Sequence, residues 1–200
     1  MITMERRMVP LILLSVATAI SSTVLWGWYA HMPELTYWVK GHNTTQPSTA
    51  LSLFGLSVAY MIREKHVQSA MQIIRGGFIF LPIFIMGEQA FVALYNLPSL
   101  FNYTSITGLP GGASVGSMIA ILLLVGGLLA PATQKLSGYV VTAMGFICLT
   151  GGHVLGLPWA LYYSKEFDSS MGIPTATCIL LIGIAAVFAC PGRKVWTKDE

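Results

Sequence analysis

The chain has 200 residues, 54% hydrophobic and 10% charged, with a formal net charge of +3 and a mean hydropathy of +0.69. An average soluble domain carries about 25% charged residues, so this composition cannot cover the surface of a soluble fold of the same length. With no basic tract and no interleaving of basic and aromatic residues, the composition also excludes a nucleic-acid partner.

A bilayer core about 30 Å thick is crossed by about 20 apolar residues in a helix. Six apolar stretches approach that length, and together they occupy most of a single membrane domain, 1–200. The first, 9–30, follows Arg6-Arg7 and contains Ala17-Thr18-Ala19, an A-x-A pattern like a signal-peptide cleavage site. Its apolar run continues past that pattern to Trp28, so it reads as an uncleaved first helix. The second stretch, 47–62, is the shortest, and its start is expected at the membrane interface or in thinned bilayer. The third (76–95), fourth (111–130), fifth (137–161) and sixth (172–190) complete an all-α fold. The expected architecture is three helical hairpins, about 9–62, 76–130 and 137–190.

Basic residues give the orientation. With the N-terminus inside, Arg6, Arg7, Arg63, Lys65, Arg75, Lys135, Arg193, Lys194 and Lys198 are cytoplasmic, and only Lys40 and Lys165 are outside. Nine against two is a positive-inside bias, which predicts that both chain ends lie inside. Trp26, Trp28, Trp38 and Trp159 then gather at the outer interface, where amphipathic rings are favoured, with Trp196 at the inner one.

The outer loops share a plan. Each begins with a proline (Pro33, Pro98, Pro158) and closes with another (Pro47, Pro110, Pro174), at separations of 14, 12 and 16 residues. The second proline suits the first turn of a descending helix, and Ser48, Thr49, Ser114, Thr175 and Thr177 are placed to cap it. The pattern reads as a threefold internal repeat of parallel hairpins. Small residues four apart (Gly55 and Ala59, Gly112 and Gly116, Gly152 and Gly156) predict that the second, fourth and fifth helices pack at the centre.

Few residues in the spans carry chemistry. Glu88 is the acidic residue well inside an expected span, flanked by Gly87 and Gln89, and an intramembrane carboxylate is a functional candidate. His153 falls at similar depth on the fifth helix, within Thr150-Gly151-Gly152-His153, where it can pair with Glu88. Both also admit a packing role, as hydrogen bonders that fix helix contacts. An aromatic rim of Trp28, Tyr37, Trp38, Tyr103, Trp159 and Tyr162 surrounds them, and these eight residues form the expected ligand-binding set. The rim equally serves to anchor the bundle at the interface.

Cys148, Cys178 and Cys190 form no CxxC pair and read as buried structural thiols. His31, His42 and Glu34 share a polar loop without metal-site spacing, so no metal is expected. Paired histidines at matched depth, which a membrane di-haem site needs, are missing, and the cofactor is left open.

Two family resemblances bear on function. The stretch Gly27-Trp28, Pro33, Leu35-Thr36, Gly41, Thr44-Thr45 and Pro47-Ser48-Thr49-Ala50-Leu51 resembles the membrane-sensor region of bacterial sensor histidine kinases and diguanylate cyclases, with Ser48 in place of the usual Asn. The second hairpin follows this plan more loosely, from Gly87 through Leu97-Pro98, so the likeness covers about half the chain. It implies a sensory or signal-coupling module in a bacterial inner membrane. Only Pro191 to Glu200 follow the last stretch, so such a module is expected to act through a partner.

Gly112-Ala113-Ser114-Val115-Gly116 is similar to the serine motif of rhomboid-type intramembrane proteases, with His153 as the partner base. Val115 departs from that motif, and a helix start rich in small residues explains it without catalysis.

The expectation is therefore a non-enzymatic, multi-pass inner-membrane protein, either a sensory or ligand-binding module or an accessory subunit. Its partners would be the lipid bilayer and another membrane protein or a second copy of itself. A small transporter or channel component is the alternative, with an intramembrane serine protease-like enzyme ranked below it.

Overall fold

The computed structural model describes residues 2–39, 44–64, 69–95, 113–161 and 171–189. Among them every regular element is helical. Helix α1 spans Ile2–Tyr29, the single-turn α2 Glu34–Tyr37, α3 Pro47–Glu64, α4 Ser69–Tyr95, α5 Val115–Leu129, α6 Gln134–Ile147 and α7 Ile173–Phe188. A π-helical segment, Cys148–Val154, continues α6, and a 3-10 turn, Pro158–Leu161, follows it.

Among the described residues, three stretches are long and apolar enough to cross a membrane: Met8–Tyr29, Met71–Phe91 and Gln134–Val154. They mark a membrane protein. Val115–Leu129 and Ile173–Phe188 are shorter apolar helices. Helix α3 carries Ser48, Thr49, Ser52 and Ser57 and is correspondingly more polar. The helices overlie the expected apolar stretches but end elsewhere. Helices α1 and α4 begin at Ile2 and Ser69, before hydropathy rises, because basic and polar residues continue a helix readily.

Large apolar side chains stand outward on several helices, among them Ile12 on α1, Phe80 on α4 and Phe146 on α6. A soluble protein rarely exposes this much contiguous apolar surface, whereas hydrocarbon favours it. Hydroxyls in these helices turn back on their own backbone: Thr18 donates to Leu14 O at 2.8 Å, Thr142 to Gly138 O at 2.7 Å and Thr177 to Ile173 O at 2.9 Å. That contact satisfies a polar group where water is absent.

The first and last hairpins are the tightest, with α1 along α3 and α6 along α7. The middle pair is looser, since α4 lies more on α3 than on α5, and α5 more on α6. At the centre stands α7, which touches α1, α3, α5 and α6 and buries Ile179, Ile182, Ala185 and Ala186. This corrects the expectation of a central fifth helix, because α6 leaves Leu136, Tyr139 and Phe146 exposed.

The reason lies in glycines seven residues apart. A Cβ on Gly138 would stand 3.0 Å from Gly183 O, and one on Gly145 would stand 2.9 Å from Ala176 O. The backbones of α6 and α7 are therefore in direct contact. The four-residue pairs act differently. Gly55 approaches Phe78 O on α4, whereas Gly156 turns the chain with φ +67° in open space. Gly112 lies outside the described residues.

The bundle has two ends. The cap end is where α1, α4 and the π segment finish and α3, α5 and α7 begin. The arginine end is where α3 and α5 finish and α4 and α6 begin, near Arg63 and Arg75.

Candidate functional site

The cap end is organised around the residues that lead into α3. The Thr45 N–H donates to Thr36 O at 2.8 Å, and its carbonyl accepts from Trp28 Nε1 at 2.8 Å. Its hydroxyl accepts from Thr175 Oγ1 at 3.0 Å. One residue thus ties the end of α1, the α2 turn and the start of α7 to the start of α3. Close approach of α1 and α2 requires Gly27, where a Cβ would meet Leu35 Cβ at 2.7 Å.

Three residues on, Ser48 Oγ accepts from Gln89 Nε2 at 2.6 Å, and Gln89 Oε1 accepts from Ala113 N at 2.9 Å. Gln89 is buried and joins α4 to the starts of α3 and α5. Ser114 caps α5, its Oγ accepting from Ser117 N at 3.2 Å and lying 2.7 Å from Ser117 Oγ. Between the two knots sits Gln46, whose buried Oε1 accepts from no group among the described residues. A buried amide oxygen without a donor costs roughly 1–3 kcal/mol. A ligand or partner that supplies a donor there recovers that cost.

The expected binding set separates on this frame. Trp28 points inward onto Thr45, and its ring is a structural clasp. Tyr37 is half-buried in α2. Trp38 is exposed and closes that turn with φ 60°, a left-handed conformation that strains a bulky residue. Trp159 is 68% exposed on the 3-10 turn. Tyr103 and Tyr162 lie outside the described residues.

Glu88 is half-buried on α4, one residue before the inward-turned Gln89. His153 Nε2 lies 3.0 Å from Met171 O, and Cys148 Sγ donates to the same carbonyl at 3.8 Å. These contacts hold the π segment to the lead-in of α7. Helix α4 packs chiefly on α3 and α5, and the π segment on α6, α7 and the 3-10 turn. Among the described residues no group of His, Cys, Asp and Glu is arranged to hold a metal.

The residues that organise the site, Thr45, Gln46, Ser48, Gln89 and Thr175, are mostly neutral amides and hydroxyls. A search for charge passes over them. The available signal was Gln89 itself, a second strongly polar side chain inside an apolar run and beside Glu88.

Neither a family model nor a curated protein nor a solved structure matches this chain.

Proposed function

We propose that the chain is a six-span membrane protein, with both ends cytoplasmic, that recognises a ligand or partner subunit at its outer, cap end. In this reading α3, α5 and α7 cross the bilayer with the three long apolar helices, as three hairpins that share the proline and small-residue plan. Pro47 opens α3, Ser114 caps α5 and Pro174 lies in the first turn of α7, in keeping with that plan.

The observation that carries the reading is the two-knot cluster. Thr45, Ser48 and Gln89 link α1, α3, α4, α5 and α7 through neutral hydrogen bonds, and Gln46, between Thr45 and Ser48 in sequence, keeps a buried Oε1 without a donor among the described residues. Occupying that acceptor acts on the starts of several helices at once, which suits a sensory or coupling role. The motif shared with bacterial membrane-sensor regions supports the same role. Its residues Gly27, Trp28, Thr36, Thr45 and Ser48 are those that hold one another here. Bacterial inner-membrane placement follows from that likeness. The chain then acts without chemistry of its own, through a partner or a second copy.

Native mass spectrometry of the protein, extracted gently from its own membrane, tests this. A reproducible added mass is expected, from a partner or a small ligand, and Gln46→Ala should reduce its occupancy. A bare monomer from both forms would defeat the proposal.

A further inference from the structure

The arginine end holds two guanidinium groups, which among the described residues bond carbonyl and amide oxygens. Arg63, in the last turn of α3, donates to Gly127 O at 3.5 Å. Arg75, in the second turn of α4, donates to Leu128 O at 3.4 Å and to Gln72 Oε1 at 3.2 Å. The two side chains therefore reach adjacent carbonyls in the last turn of α5. Carbonyls at a helix C-terminus carry about half a negative charge, which offsets only part of the charge of one arginine. The buried Nε of Arg75 has no acceptor among the described residues.

The surroundings suit an amphiphile. A Cβ built on Gly76 or Gly77, next to Arg75 in sequence, meets nothing within 4 Å, so this side of α4 is open. Exposed Ile73, Ile74 and Leu129 border the same end of α4 and α5. From these features we infer a phosphate site between Arg63 and Arg75, filled by the phosphodiester of an anionic lipid whose acyl chains run along the apolar face of α4. Arginine forks match phosphate oxygens two at a time, and a lipid phosphate supplies the acceptor that Arg75 Nε lacks. Basic pockets between helices on the cytoplasmic side of a membrane hold anionic headgroups by this chemistry. The inference rests on the membrane-spanning reading and goes beyond it.

The test is lipid retention by the full chain in nanodiscs of phosphatidylcholine and of phosphatidylcholine mixed with phosphatidylglycerol, read by native mass spectrometry. Wild-type protein should keep phosphatidylglycerol preferentially, and the double variant Arg63→Gln, Arg75→Gln should keep it roughly tenfold less or weaker still. If that variant fails to fold, Arg63→Gln and Arg75→Gln singly should each lower retention, with partial rescue by Arg75→Lys. Equal retention by wild type and variants would overturn the site and leave the arginines as caps of α5. Displacement of phosphatidylglycerol by inorganic phosphate at matched concentration would overturn the lipid assignment in favour of a free anion. Failure of the chain to enter phosphatidylcholine discs would instead defeat the membrane reading itself.

Discussion

At the cap end, helices are joined by side chains that hydrogen-bond backbone groups left over from helix starts and loops; at the arginine end, side chains reach carbonyls at or near the finish of α5 and α7. The Ala113 N–H precedes the first turn of α5, where no intrahelical acceptor exists, and Gln89 supplies one. Tyr60 donates to Leu124 O, a carbonyl inside α5 that already serves the helix ladder and accepts a second bond at 3.0 Å. Gln134 Nε2 reaches Ala186 O, in the last turn of α7, at 2.9 Å. Removing the Gln89 side chain orphans a backbone N–H, whereas removing the Tyr60 hydroxyl takes away only a second bond. Of these two, Gln89 is therefore the more sensitive to substitution.

Four substitutions break or sharpen that contrast. Gly145→Leu removes the frame on which both ends depend, since Leu180 N and Ala176 O occupy the space a side chain needs. It should cost about 3 kcal/mol or more, or abolish folding, read as loss of the thermal unfolding transition in detergent. Gln89→Leu should cost about 2 kcal/mol by orphaning Ala113 N–H and Ser48, and should lower the unfolding midpoint clearly. Tyr60→Phe, its counterpart at the other end, should cost about 1 kcal/mol or less; a loss equal to that of Gln89→Leu would erase the contrast. Trp159→Ala, at an exposed ring, should change stability by about 0.5 kcal/mol or less. It is expected instead to alter tryptophan fluorescence quenching by lipid-depth probes.

Most of the helical layout was legible in the sequence. Long apolar runs with few charges reveal helices through composition alone, and Pro47, Ser114 and Pro174 mark helix starts by their backbone chemistry. Helix bounds were less legible, because hydropathy reports lipid contact and not hydrogen bonding, so α1 and α4 extend into polar sequence. The centre of the bundle was misread: Gly138, Gly145 and Gly183 act at seven-residue spacing and across two helices, which a four-residue pattern within one helix does not register. The site was legible in part. Trp28, Thr36, Thr45 and Ser48 stand in a motif visible along the chain, and their contacts explain it. Gln46 and Thr175 gain meaning only from folding, since Thr175 meets Thr45 across 130 positions of sequence.

The account turns on the cap and arginine ends lying on opposite sides of a bilayer. Cysteine labelling with a membrane-impermeant maleimide tests this directly, using exposed Met32→Cys at the cap end and exposed Ala132→Cys at the other, with native cysteines replaced. The account predicts labelling of Met32→Cys in intact cells and of Ala132→Cys only after permeabilisation. Labelling of both positions from the same side would contradict it.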